Sequence, residues 1–487
     1  VRLGQVARTG RQSSGGRVMD AVAEKVTAGS ATLRADPLAD ATIARILGAR
    51  MNPDPACQLA TIGIINQELA TWDNNGRLAA WRASTSVPAP MAAALHDYLA
   101  AATVLPDWAE PGLLARAEHV FMETGLISCT MLFCASLPEC YVVPDLAAVL
   151  HVAGQLDAHC EYRIRATAAM IFPVLMHGGL TSPAGGGVAQ TLKVRLIHAT
   201  IRYLILHGAV PEEAAAPALA VAGTAEPSMQ QPTVQQQLLA HGWNTARDGL
   251  PCNQEQLAYT LLTFGYVYLR ALRTLGIGLP AADEAAYLHA WNVVGHLLGI
   301  ERGLMPASMD DAATLFDALQ KSGRAHPYSP DPRPELAGSL MRTMQNDIPF
   351  RLLKPFPVLL TRYLCGEASS ADLGLTRGRW SPGAWVSGAL FFLLMGTVRI
   401  IDATVRLALP QFSFSRLLAR IVGYRFTVRI LMDQTRPLKL PEALLDEVGA
   451  VMQGWHSDPK APKWMNRLER TLAPASTVPD QPLAGNA

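Results

Sequence analysis

The chain has 487 residues, with 41 Lys+Arg against 40 Asp+Glu, a formal net charge of +1 and 17% charged residues. Half of it is hydrophobic, which excludes wholesale disorder, and the even charge balance excludes the basic surface of a nucleic-acid platform. An ordinary soluble domain is about 25% charged, so this composition points to large buried surfaces, an apolar ligand or a membrane surface nearby.

In chain order, residues 1–35 are basic and polar, lack sustained periodicity, and are expected to form a flexible arm. They hold no apolar stretch of the secretory kind, so the chain as written reads as cytoplasmic, or as secreted or outer-surface if a precursor segment is missing. From Asp40 onward the pattern is helical. Ala- and Leu-rich segments at 91–105, 143–156, 188–208 and 254–276 are bounded by Pro and Gly, and alternating strand-like runs are scarce. The prediction is an all-α protein: one helical domain over 36–453 with its core at 111–306, and a tail at 454–487. Loops are expected at 182–187, at the low-complexity stretch 211–237, and at the proline-rich 326–335, which should separate the main core from a later helical section. The longest apolar run, Gly383 to Val398, falls short of the ~18–20 residues of a spanning helix and is closed by Arg399. It reads as a buried core helix rather than a transmembrane one, with peripheral membrane contact as the alternative.

Seven cysteines occur without a CxxC pair, which argues against a disulfide scaffold and a four-cysteine zinc site; without CxxCH, covalent c-type haem attachment is excluded. Phosphate-loop, HExxH, GxSxG and GxGxxG patterns are also missing. Gly185-Gly186-Gly187 before a helix reads as a plain connector, with anion binding as the rival.

The most informative segment is KVRLIHATIR, Lys193 to Arg202. Thr191, Arg195, His198 and Arg202 are spaced four, three and four apart and so share one helical face among apolar neighbours. That face is either the wet side of a surface helix or a buried imidazole ligand with guanidinium groups for an anionic cofactor. Haem suits the second reading, because its iron takes a neutral imidazole and its propionates need cations. Arg163 and Thr167, four apart, are either a surface arginine with a back-bonding threonine or a donor pair over a cofactor's open face. Asn253 with Gln256 reads as a helix cap, and Thr260 as a hydroxyl bonded to the preceding turn. His289, Trp291 and His296 are further candidates by composition, although a lone helical His is usually structural.

KVRLIHATIR, preceded by an Arg-x-x-x-Thr helix and followed by Pro-x-Asn-Gln-x-x-Leu and Trp-x-x-x-Gly-x-x-x-Gly, resembles the latex-clearing protein (rubber oxygenase) family, and more broadly the mpaB-type oxygenase domain. The resemblance covers Pro111 to Pro306, and more loosely the helical part to Gln453. It implies a globin-like helical core around non-covalent haem b, with extra N- and C-terminal helices. It implies His198 as the proximal iron ligand, Arg195 and Arg202 near the haem edge, Arg163 and Thr167 on the distal side, and Thr260 in the pocket. It implies cleavage of isoprenoid double bonds, as in poly-cis-1,4-isoprene, with O2 as co-substrate and aldehyde and ketone ends as products. The partner is then a hydrophobic isoprenoid. The chain departs from the family where Ala166 replaces a distal lysine, and where a distal glutamate has only Glu161 and Glu139 as candidates. The alternatives are an oxygenase acting on a smaller terpenoid or prenyl substrate, and a non-enzymatic haem- or lipid-binding helical protein.

Overall fold

Local signals fix where the helices begin. Asp36 caps the first, α1 (Pro37–Leu47): its carboxylate accepts from the Ala39 amide, and Pro37 stands where no amide donor is needed. Asn253 caps the helix Gln254–Thr274 in the same way, accepting from the Gln256 amide at 3.0 Å, as its spacing predicts. A computed structural model of the chain describes residues 31–48, 55–153, 170–207, 243–346 and 353–376, with isolated positions at 167, 348 and between 386 and 404. The protein is all-α, and no strand occurs among the described residues.

After α1 come α2 (Pro55–Ala70), α3 (Ala89–Ala102) and α4 (Pro111–Met131). At its C-terminal end α4 widens into a π turn, Leu132–Ser136, and finishes in Leu137–Cys140. The chain then bends by 106° into α5 (Pro144–Ala153). The remaining helices are α6 (Gly187–His207), α7 (Gln254–Thr274), α8 (Ala281–Leu297), α9 (Met309–Arg324), α10 (Arg333–Asn346) and α11 (Phe356–Asp372). The segments expected at 91–105, 143–156, 188–208 and 254–276 correspond to α3, α5, α6 and α7. Helix α4 packs along α8, α7 lies against the π turn, and α6 is held between α1 and α8. One hydrophobic core joins them, from Ala39 and Ile43 through Leu192, Leu196 and Val294 to Leu340 and Leu373.

Three expectations are corrected here. Residues 31–36 are not a free arm: Ala31 is buried, Thr32 and Arg34 carbonyls accept from the Leu250 and Gln254 amides, and Arg34 pairs with Glu301. Periodicity cannot reveal a segment pinned by backbone bonds and one cap. The proline-rich stretch does not set off a later section, because Leu336, Leu340 and Met341 of α10 belong to the common core. Nor is the apolar run from Gly383 uniformly buried. Phe391 is buried edge-on against Phe356 (5.4 Å), but Val386 and Leu393 are 48% and 68% exposed. Composition alone cannot tell a helix buried on all sides from one with an open greasy face. No single helix among the described residues is long and apolar enough to cross a membrane. Residues 1–30, 211–237 and 454–487, on which further expectations fell, lie outside the described residues.

Candidate functional site

The sequence motifs singled out above meet in one polar knot at the contact of α1, α6 and α8. The Arg195 guanidinium grips the Asp36 carboxylate through Nε (2.5 Å) and Nη2 (2.7 Å), and its Nη1 donates to the Leu297 carbonyl at the end of α8. Arg202, two turns on, pairs with Asp40 and donates to the carbonyls of Pro251 (2.8 Å) and Cys252 (2.7 Å). Gln254 completes the stitching: its amide donates to the Ala35 and Gly299 carbonyls and accepts from the Glu301 amide. Gly299 is there for two reasons. Its φ of +81° suits the left-handed end of α8, and a Cβ would stand 2.6 Å from the Asp36 carboxylate and 2.8 Å from Arg195.

Arg195 and Arg202 have structural partners that their expected place near a cofactor edge did not foretell. Both guanidiniums are buried and engaged by protein carboxylates and carbonyls, so what they demonstrably hold is α6 itself. The sequence shows the cations on α6, but the answering Asp36 and Asp40 lie some 160 residues earlier, and no short-range pattern links them. A hint was available: two aspartates one turn apart, one capping a Pro-initiated helix and one in its first turn, present both charges on one face.

His198 stands beside the knot and differs from it. It lies between Arg195 and Arg202 on the helix, but also shares a face with Val194, Ile201 and Ile205, all half-buried, next to Ile197, which is 43% exposed. Its Nδ1 is buried and has no hydrogen-bond partner among the described residues. Burial, reinforced by the Arg202 guanidinium, pushes the imidazole down to about 4 from the ordinary 6.5. The ring is therefore neutral at physiological pH, with a lone pair available to a metal centre. Of the α6 residues picked from the sequence, His198 alone retains a buried polar atom without a partner.

The other predicted residues fall as follows. Arg163, Ala166 and Glu161 lie outside the described residues. Thr167 is helical and half-buried, and so is Thr260, in the second turn of α7. His289 accepts from the Glu110 amide (3.0 Å) and, like His296, sits edge-on to Trp108, with Arg302 4.5 Å above that ring. Trp291 is buried, stacked on Phe264. Glu139 is fully buried and occupied: it accepts from Arg270 (2.5 Å), Gln320 (2.9 Å) and Ser369 (3.1 Å). Burial still raises its carboxyl above the usual range, against the pull of Arg270. The glycine run before α6 proves a connector. Asn75 reaches across and accepts from the Val188 and Ala189 amides, the groups an anion would have used.

The described residues define an all-α protein, and its α6 seats a neutral imidazole with one unpartnered nitrogen on a half-open apolar face. More particularly, the chain belongs to the family described as ER-bound oxygenase mpaB/B′/Rubber oxygenase, catalytic domain, which it matches over residues 128–400. It is similar to the rubber oxygenase of Streptomyces sp. (strain K30), at 22% identity over 309 residues; the match takes in 62% of this chain and 66% of the relative's length. Its fold is similar to that of latex clearing protein LCP in the closed state, with a TM-score of 0.56 at 17% identity, over 87% of this chain and 90% of that one.

Proposed function

We propose that this protein is a haem b-dependent oxygenase that cleaves isoprenoid double bonds with O2, leaving aldehyde and ketone ends. The observation that carries the reading is the state of His198: a neutral imidazole with an unanswered buried nitrogen, on an apolar face, in a member of the mpaB/rubber oxygenase family. A b-type haem needs such a ligand, and the residues around His198 suit its flat apolar ring. When bound, haem supplies the one-electron and O2 chemistry that no side chain has.

The residues then divide the work. His198 holds the iron, and Val194, Ile197 and Ile201 exclude water from that side. Arg195 and Arg202 keep α6 in register through Asp36 and Asp40, so the imidazole is presented at a fixed height. Arg202 also keeps the ring unprotonated by its charge. Arg163, Thr167 and Thr260 are assigned to the substrate side, where hydroxyl and guanidinium donors orient a polar oxygen. The substrate offers no charge, so its binding rests on buried apolar area at about 25 cal/mol per Å2. Ala166, where rubber-cleaving members carry lysine, favours a shorter prenyl or terpenoid chain over the polymer.

Hemin titration followed by O2 uptake tests this. Wild-type protein is expected to develop a Soret band that shifts with CO after reduction, and to consume O2 with carbonyl formation on oligoisoprenes or polyisoprene. His198→Ala is expected to lose the band. A chain that stays colourless with hemin overturns the reading; one that turns red but consumes no O2 with either substrate is a haem-binding protein without this activity.

A further inference from the structure

The π turn at the end of α4 has a consequence away from His198. Leu132 and Ser136, its first and last residues, line a small cavity together with Ile171, Phe172 and Phe264, and Trp291 closes one side. π turns inside α-helices recur at functional sites, because the widened turn moves side chains that a regular helix would pack. The cavity has room for a single molecule the size of water or a diatomic gas, and its walls are apolar almost throughout.

Its position is set by two spacings. Ile171 follows Thr167 by four residues and Phe264 follows Thr260 by four. Thr167 and 170–175 are helical, and Thr260 and Phe264 are both in α7. Residues four apart on a helix lie one above the other, so Thr260, on the substrate side, stands one turn from the Phe264 wall of this cavity.

We propose that the cavity holds molecular oxygen, one helical turn behind the reaction site. The inference rests on the oxygenase reading above and extends it to the route of the gas. Dioxygen is small, apolar and makes no strong hydrogen bonds, so it loses little on leaving water for these walls. A water molecule needs two to four polar partners to enter such a space. The hydroxyls of Ser128, Tyr268 and Tyr287 also line the space but are engaged with one another or with backbone carbonyls, which leaves the Ser136 hydroxyl and the Trp291 indole N–H as the lining groups buried without a partner.

Xenon, an apolar gas visible by its scattering, is the probe. Crystals of the full chain under xenon pressure are expected to show a peak between Leu132, Ile171 and Phe264. Leu132→Phe, which fills the space, is expected to abolish the peak and to raise the KM for O2 at least threefold, with the KM for the isoprenoid unchanged. If the larger side chain does not fold, Ile171→Ala is expected to enlarge the cavity and raise xenon occupancy. An ordered water bridging Ser136 and Trp291 with no xenon overturns the proposal, as does a filled cavity that leaves the KM for O2 unchanged. If the protein consumes no O2 with any isoprenoid, the oxygenase reading has failed; the xenon density alone then decides whether the cavity takes an apolar gas.

Discussion

Two neighbouring regions of α6 treat buried polar groups in opposite ways. In the knot, Arg195 and Arg202 have carboxylates and carbonyls arranged around them, and Gln254 and Gly299 are fitted to that pairing. Between the two arginines, His198 keeps a buried nitrogen that nothing in the described protein answers. A protein that satisfies two guanidiniums so thoroughly and leaves the imidazole between them bare is spending its stability on one and reserving the other. On the proposed reading, the difference separates residues that hold α6 in place from the residue that would take the ligand. It also explains why family motifs rich in Arg, Asn, Gln and Gly are not themselves a list of reacting groups.

The sharpest way to break the contrast is to unpair the knot. Asp36→Ala leaves the Arg195 charge buried without its partner and removes the α1 cap. A loss of roughly 3–5 kcal/mol is expected, read from urea midpoints, with hemin affinity falling only as far as the fold does. A loss below about 1 kcal/mol would show that the knot is not what fixes α6. Glu139→Gln is the companion case at a second fully occupied carboxylate. The amide still accepts from one neighbour but faces Arg270 without charge, so a smaller loss of about 2 kcal/mol is expected by the same measurement. His198→Ala should cost least of the three without haem, about 1 kcal/mol or less, because its Nδ1 hydrogen bond does not exist to be lost. The effect should appear on adding hemin, which is expected to raise the Tm of the wild type and not of the variant. A large stability loss in hemin-free His198→Ala would make the imidazole a structural residue.

How much of this was legible in the sequence follows from the same contrast. Helices α3, α5, α6 and α7 were readable because period 3.6 is a local signal, and the Asn253 cap because its partner is three residues away. The shared helical face of Arg195, His198 and Arg202 was readable for the same reason. What escaped was set by contacts distant along the chain: Asp36 against Arg195, Glu139 against Gln320 and Ser369, and the anchoring of residues 31–36 on α7. The arginines were visible as cations but not as cations already paired. The exposure of Val386 and Leu393 was hidden because apolar composition does not say what covers it.

Asp145 lies between the extremes and gives the smallest but most directional test. It is buried, accepting from the Leu146 amide (2.8 Å) and the Gln256 side-chain amide (2.7 Å), yet the Gln256 Oε1 beside it has no partner. Burial raises its carboxyl above the ordinary 3.8, against the lowering by Gln256. The sign follows from linkage. Near and below the ordinary carboxylate value both states hold the proton, and the native preference for the neutral acid contributes in full. As pH rises past the ordinary value the unfolded chain ionises freely while the folded one keeps its proton or buries a charge, and the contribution is lost by the time pH has climbed through the raised native value. Glu255, buried and also raised, mainly by burial, adds to the same slope. Wild-type stability should therefore fall as pH rises above the ordinary carboxylate range. Asp145→Asn should flatten that fall, since Gln256 can turn its amide and offer the idle Oε1 to the new NH2. The variant is expected to lie within ~1 kcal/mol of wild type at pH 5 and to gain on it steadily toward pH 8. If urea midpoints across that range show parallel slopes, Asp145 is ionised in the native state and the buried acid is not the source of the pH dependence.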